Sequence, residues 1–375
     1  MSNKRVGVIG GGQLAWMMAT ATEKLGIDLF IQTPHKDDPA VAIAHEVILA
    51  PIDDANATQK LAEKCDIITF ENEFINLEAL QKLESKGISF RPKLSTLYPL
   101  LDKYKQRSYL KNINIPVPKF TTLEELSSNH FDFPLVIKAR RHGYDGQGTF
   151  IIKNTEELNP VLKQANNRLL MVEEYIRFQQ ELALMVARNA KGEIVTYSVV
   201  ETYQKEQVCH WVIAPANISE TVQKEAQKIA EHLVTELDVI GIFGIEFFLT
   251  PEGKLLVNEI APRTHNSGHY TIDACDISQF EMQLRAITDQ SLESAKLNCL
   301  GAVMVNLLGY ENSHHDYQEK REKMAKLPNT YIHWYEKKES RPGRKLGHVT
   351  RLIQDNKIEP QSIAKEIESI WYNDQ

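Results

Sequence analysis

A short β-branched run, Arg5 to Ile9, passes directly into Gly10-Gly11-Gly12 and then into a helical pattern beginning at Leu14. A strand that turns into a helix through glycines is the opening of a βαβ unit, because the next parallel strand can be reached only by a crossover. The pattern repeats. Leu14 to Leu25 reads as helix, Ile27 to Ile31 as strand, Asn56 to Lys64 as helix, Asp66 to Phe70 as strand, Asn76 to Glu84 as helix and Ile88 to Phe90 as strand. This alternation predicts a parallel sheet over the first hundred residues. A helical segment, Leu101 to Lys111, precedes Pro116 and Pro118, which resist helix and suit a connection, so a domain boundary is expected near residues 100 to 115.

A chain of 375 residues is long for one core and suits two or three domains. No apolar run approaches the roughly 20 residues that cross a bilayer, so no membrane span is expected. The start, Met1 to Val8, has no signal-peptide pattern, which argues against secretion. Cys65, Cys209, Cys275 and Cys299 are far apart in sequence and form no C-x-x-C pair, which fits reduced thiols in a cytoplasm rather than a zinc or dithiol site. A formal charge of -7 disfavours nucleic acid as a partner, so any anionic ligand must be held by local cations.

From Pro134 to Glu181, short strands, a glycine-rich loop and a helix near Glu156 to Ala165 predict a compact α+β lid. Residues 181 to 290 contain strands at Leu182 to Arg188 and Ile194 to Glu201, a helix at Thr221 to Leu237, a hairpin at Gly241 to Ile260 and a helix from about Ser278. The tail from Ala302 is strand-rich and carries a basic segment, Arg341 to Lys345.

Gly10, Gly12 and Ala15 satisfy the spacing that lets backbone N–H groups approach a phosphate at a helix N-terminus. A dinucleotide enzyme would want an acid after the second strand, and Ile31-Gln32-Thr33-Pro34 offers none. An anionic ligand or a ligand-free turn both fit. Gly143-Tyr144-Asp145-Gly146-Gln147-Gly148 follows the strand Leu135 to Lys138 and suits a phosphate-cradling flap or an ordinary hairpin turn; Lys138 favours the first by placing an ammonium before the loop.

Glu246 and Glu259 form the strongest chemical signal. The turn Thr250-Pro251-Glu252-Gly253 makes a hairpin, on which the two carboxylates converge either diagonally or face to face, depending on register. Among Ile245, Phe247, Phe248 and Val257, two like charges are costly without a cation. Magnesium bridging ATP phosphates is the natural partner, with Asn258 supplying further oxygen. The alternative is two solvent-facing glutamates. Pro262 and Gly268 make Arg263 to His269 a loop rather than a zinc-binding helix, so Arg263 and His265 are placed to hold a small anion. Arg341-Pro342-Gly343-Arg344-Lys345 is either a solvated charge run or a turn presenting Arg344 and Lys345 to a phosphate.

Together, Gly10-Gly11-Gly12-Gln13-Leu14, the Gly143 to Gly148 flap, Asn258 to Arg263, His265-Asn266-Ser267-Gly268-His269 and Arg341 to Lys345 resemble the N5-carboxyaminoimidazole ribonucleotide synthases of the ATP-grasp superfamily, in order and over nearly the whole chain. The resemblance implies mixed α/β and α+β architecture: a Rossmann-like pre-ATP-grasp domain (1–100), an ATP-grasp domain (101–295, lid about 115–178) and a small C-terminal β-rich domain (296–375), commonly as a homodimer. It implies ATP contacts at Lys103, Lys138, Gly143 to Thr149 (Gly143, Tyr144, Asp145, Gly146, Gln147, Gly148, Thr149), Glu173, Glu174, Tyr175, Ile176, Glu181, Gln204, Asn258 and Glu259. Magnesium falls to Glu246 and Glu259. Tyr144, Asp145, Arg263, His265 and Lys345 match catalytic positions, and Gln13, Asn266, Ser267, His269, Arg341, Arg344 and Lys345 match positions around the bicarbonate and the ribonucleotide. Two departures stand out: Ala15-Trp16 replaces the family's usual Gly-Arg, and Gln204 stands where histidine is common. The implied reaction is attack of bicarbonate on the ATP γ-phosphate, giving carboxyphosphate and ADP, then capture of the activated carbon by the amine of aminoimidazole ribonucleotide.

Overall fold

Three sheets organise the computed structural model, which describes residues 3–126, 131–141, 148–164 and 169–372. The first contains β1 (Lys4–Ile9), β2 (Ile27–Thr33), β3 (Glu46–Leu49) and β4 (Ile67–Phe70) in the order β3-β2-β1-β4, all parallel. Helix Gln13–Ala19 packs on one face, and Leu61, Leu80 and Leu83 pack on the other, as a parallel sheet requires. The expected helix Leu14 to Leu25 divides into Gln13–Ala19 and Thr22–Leu25, and the strand expected at Ile88 to Phe90 reduces to a bridge between Ile68 and Phe90. Because Ile9 lies opposite Phe70 on neighbouring parallel strands, both chains leave the sheet side by side, at Gly10 and Glu71.

The second sheet is antiparallel: β5 (Phe120–Thr122), β6 (Leu135–Ala139), β7 (Thr149–Ile152) and β8 (Leu170–Glu174), ordered β5-β8-β6-β7. Leu158, Val161 and Leu162 of helix Thr155–Gln164 pack against it, giving this small unit its own core.

The third sheet runs from β9 (Gln180–Arg188), β10 (Ile194–Thr196), β11 (Val200–Lys205) and β12 (Val208–Ala214) through the hairpin β13 (Gly241–Leu249) and β14 (Leu255–Ala261) to β15 (Gly301–Leu308), β16 (Thr330–Trp334) and β17 (Lys345–Ile353). Its order is β14-β13-β9-β11-β12-β15-β17-β16, with β10 beside β9. Antiparallel pairing of β12 with β15, Trp211 opposite Val305, carries the sheet without a break into the C-terminal strands. Helix Glu220–Glu236 seals one face through Ala226, Leu233 and Val234, while helix Pro360–Tyr372 closes the C-terminal end with the fully buried Trp371. Ser219 starts the first of these helices by accepting from the Val222 N–H. Among the described residues, no helix is long and apolar enough to cross a membrane.

Candidate active site

The three sheets enclose a cavity of about 1350 Å³, lined from Gly10 and Gln13 on one side, past Glu246, Asn258 and Glu259, to Val136 and Phe178 on the other. Its floor is the β13–β14 hairpin. Glu246 lies directly opposite Glu259, and the register shifts immediately beyond, where Phe247 faces Val257. Asn258 is thus the extra residue of a β-bulge. Without it, Glu259 would share the core-facing side of Val257. With it, Val257 and Ile260 enter the core while Asn258 and Glu259 both reach the cavity. The face-to-face arrangement therefore needs both the turn, which sets Leu249 opposite Leu255, and the bulge, which moves the partner of Glu246 from Asn258 to Glu259.

The two floor carboxylates are unequally neutralised. Lys103 Nζ approaches Glu259 Oε1 at 2.6 Å; burial opposes the Glu259 charge, but Lys103, together with Lys138 and His265, holds its pKa below the ordinary value. Burial, then Glu259, then Glu181, push Glu246 well above the usual carboxylate range. Burial also raises Glu181, to about 7. Asn258 Nδ2, 3.4 Å from Glu246 Oε2, gives that carboxylate a neutral donor only. The floor is short of positive charge, which fits a divalent cation held by Glu246 and Glu259. Among the described residues, no three His, Cys, Asp or Glu side chains converge as a self-sufficient metal cage, so further oxygens must come from what the cation binds.

The neighbouring wall is balanced. Glu173, buried on β8, accepts from Arg107 Nε and lies 2.7 Å from Lys138 Nζ. Burial opposes its charge, yet the two cations lower its pKa to about 2. Lys138 in turn reaches Asn258 Oδ1 at 3.2 Å, and Arg107 donates to the Asn258 carbonyl, so these cations brace the bulge. Burial lowers the Lys138 pKa against the pull of Glu173. Asp102 caps helix Lys103–Asn112 and accepts from Arg140 Nε and Nη2 at 3.0 and 2.8 Å, tying the helix that carries Lys103 and Arg107 to the small sheet. Arg107, Asp102 and Arg140 carry no motif signal, because only the tertiary fold brings them together.

At the N-terminal end, the glycine turn is satisfied from within. Glu71 Oε2 accepts from Gly12 N at 2.7 Å, and Oε1 accepts from Leu14 N at 3.1 Å. A Cβ on Gly12 would lie 2.4 Å from Glu71 Oε1, and one on Gly10, whose φ is +115°, 2.5 Å from Oε2. These glycines therefore make room for a buried carboxylate. Its pKa is raised by burial, which outweighs the backbone hydrogen bonds. An acid immediately after the predicted strand Asp66 to Phe70 was the available signal, given the parallel pairing with the first strand.

The loop after β14 contributes Arg263, His265, Asn266 and His269 to the cavity. Arg263 Nε meets Glu73 Oε2 at 2.9 Å. Ser267, buried and off the cavity, approaches His265 Nδ1 with its N–H at 3.4 Å and its hydroxyl at 2.8 Å, while His265 Nε2 lies 3.6 Å from Glu246 Oε1. Asn266 forms a reciprocal amide pair with Asn306, at 2.9 and 2.7 Å. Lys345, at the start of β17, joins the same cavity, as do Gln13, Lys103, Lys138, Thr149, Glu173, Glu174, Tyr175, Ile176, Glu181 and Gln204. Arg341 and Arg344 are not part of the lining: Arg341 is exposed, and Arg344 donates to the Glu339 carbonyl at 2.9 Å. Gly148, at φ +83°, precedes the cavity-lining Thr149 and is not itself part of the lining. Gly143, Tyr144, Asp145, Gly146 and Gln147 lie outside the described residues.

Three family models match in sequence: a ribonucleotide synthetase preATP-grasp domain at residues 3–98, an ATP-grasp domain at 108–280 and a phosphoribosylaminoimidazole carboxylase C-terminal domain at 302–359. An N5-carboxyaminoimidazole ribonucleotide synthase from Synechocystis is 53% identical, covering 98% of each chain. The chain belongs to the N5-carboxyaminoimidazole ribonucleotide synthase family. A crystal structure of the synthetase from Thermotoga maritima is similar, with a TM-score of 0.87 and 42% identity over 97% of this chain and 98% of that one. So is the synthase from Aspergillus clavatus in complex with ADP and 5-aminoimidazole ribonucleotide, with a TM-score of 0.92 and 29% identity over 99% of both chains. The preATP-grasp match covers the parallel sheet β1 to β4, and the C-terminal match falls on β15, β16 and β17, antiparallel strands that continue the sheet of the ATP-grasp match.

Proposed function

We propose that this chain uses ATP to join bicarbonate to the amine of 5-aminoimidazole ribonucleotide, giving N5-carboxyaminoimidazole ribonucleotide, ADP and phosphate. The chain is an ATP-grasp ligase of purine biosynthesis. The observation that carries the finer reading is one continuous cavity, in which the opposed Glu246 and Glu259 share space with Lys138 on one side and with Arg263, His265 and Lys345 on the other.

Val136, Ile176, Phe178 and Phe248 offer the nucleotide an apolar surface, while Lys138 and Lys103 face its phosphates. Glu246 and Glu259 would hold magnesium, which when bound supplies positive charge to the phosphoryl oxygens during transfer. Arg263, His265 and Lys345 hold bicarbonate and the carboxyphosphate derived from it, and Asp145 orients the amine, with Tyr144 as its neighbour in sequence. Gln13, Asn266 and His269 complete the ribonucleotide side. Enclosure by the small antiparallel sheet excludes water that would hydrolyse the acyl phosphate. We further propose three units, 1–100, 101–295 and 296–375, acting in the cytoplasm as a homodimer.

The test is ADP release from ATP and magnesium with and without the ribonucleotide and bicarbonate. Ribonucleotide-dependent turnover, with labelled bicarbonate carbon entering an acid-labile carbamate, is expected. Incorporation of formate instead, or turnover indifferent to the ribonucleotide, overturns the assignment.

A further inference from the structure

Gln279 is fully buried at the first turn of helix Gln279–Ile287 and takes no place in the cavity lining, yet it binds both histidines of the loop beside it. Its Oε1 accepts from the His265 N–H at 2.9 Å, and its Nε2 donates to the His265 carbonyl at 2.7 Å. This backbone bracket fixes the amide, because the reverse orientation would set donor against donor and acceptor against acceptor. The second hydrogen of Nε2 then has one recipient, His269 Nδ1, at 3.0 Å. A nitrogen that accepts carries no proton, so the neutral His269 ring must carry its proton at Nε2.

The surroundings hold that arrangement. Gln279 N donates to Thr271 Oγ1 at 2.9 Å, which donates to the Gly268 carbonyl at 2.6 Å. A Cβ on Gly268 would stand 2.6 Å from Gln279 Oε1, so the loop can take its place against the amide only with glycine there. Phe280 and His348 pack on the His269 ring, with centroids 5.5 and 5.1 Å away. Burial, then His265, Lys345, His333 and Arg263, push the ring's pKa well below the ordinary histidine value, so it stays neutral. His269 is 1% exposed but lines the cavity, and among the described residues none is hydrogen-bonded to its Nε2.

We propose that Gln279 is a positioning residue that sets His269 as a neutral Nε2–H donor to an oxyanion of the acceptor side, supplied by the ribonucleotide phosphate or by the bicarbonate-derived group. A neutral donor binds an oxyanion without adding charge to a wall already occupied by Arg263 and Lys345. The inference deepens the proposed function and rests on it for the identity of the oxyanion only.

The first readout needs neither substrate nor variant. In enzyme labelled with 15N-histidine, long-range 1H–15N correlation spectra near neutral pH should show His269, assigned by loss of its signals in His269→Asn, as the Nε2–H tautomer. The Nδ1–H tautomer or an imidazolium overturns the proposal, whatever reaction the enzyme catalyses. In Gln279→Glu the carboxylate can only accept, so His269 should switch to Nδ1–H or become charged. The KM for the ribonucleotide or for bicarbonate should then rise about tenfold or more, with the KM for ATP within about twofold; which of the two rises tells the phosphate from the bicarbonate-derived group. An unchanged tautomer, or a parallel rise in the KM for ATP, overturns it. Absence of ribonucleotide-stimulated ADP release in the wild type would instead count against the proposed function and leave the tautomer result standing.

Discussion

The walls and the floor of the cavity treat carboxylates in opposite ways. On the walls, Glu173 meets Arg107 and Lys138, and Glu71 meets the amides of Gly12 and Leu14, so each carboxylate finds its partners within the chain. On the floor, Glu246 and Glu259 face each other, and among the described residues the ammonium paired with them is that of Lys103, on Glu259. A matched carboxylate holds the fold. An unmatched pair leaves a demand for positive charge, which magnesium would meet under the proposed function.

The sharpest way to break this contrast is to alter a wall. Glu173→Gln leaves Arg107 and Lys138 buried without a counter-charge and should destabilise the protein by about 3 to 5 kcal/mol, measured by urea unfolding. A loss near zero would show that the wall is not structurally matched. The same residue gives a pH test. Its folded pKa of about 2 lies below the ordinary 4.5, so its contribution is present above 4.5 and is lost as pH falls toward 2. Glu181 has the reverse sign: at about 7 its folded pKa exceeds 4.5, so its contribution is complete below 4.5 and disappears as pH rises through 7. Stability of Glu181→Gln relative to wild type should therefore improve across that upper window.

On the floor, Glu246→Gln or Glu259→Gln should cost about 2 to 4 kcal/mol of transition-state stabilisation, read as kcat/KM at saturating magnesium. For Glu246→Gln without metal, thermal stability should match the wild type below pH 4.5 and exceed it progressively as pH rises toward about 8, above which ionised Glu246 would face Glu259. Near-normal turnover in both variants would return these residues to the solvated-surface reading.

A subtler wall change is Glu71→Gln. The amide can accept from one of the two backbone N–H groups, but sets its own donor against the other, at an expected cost of about 1 to 3 kcal/mol in unfolding free energy. If stability is unchanged while the KM for the ribonucleotide rises, the glycine turn serves a ligand more than the fold. Smallest of all, Arg341→Ala, at an exposed position off the cavity, should stay within about 0.5 kcal/mol in stability and leave turnover intact. A clear loss of turnover would bring Arg341 into the site.

How far these distinctions were legible in the sequence follows from their range. The alternation of Arg5 to Phe70 foretells a parallel sheet because hydrophobic period is local, and Thr250 to Gly253 foretells the hairpin because turn chemistry is local. The convergence of Glu246 and Glu259 was visible for the same reason, but the bulge at Asn258 was not: one residue's slip is chosen by what the core accepts from Val257 and Ile260. The partners of Glu173 were hidden further still, since Arg107 lies 66 residues away and meets it only across a helix–sheet contact. The glycine motif left two readings open for a different reason. Its spacing indicates that amides will surround an anion, but not whether that anion belongs to the chain.

The unbroken run of pairing from β12 into β15 has a consequence for how the protein comes apart. If the chain were cut before Gly301, β12 would become a sheet edge carrying Val212 and Ala214, with a row of N–H and C=O groups open to another strand. Such a fragment should self-associate rather than behave as a smaller, well-mannered enzyme, and in the intact protein the two ends of the sheet should melt together.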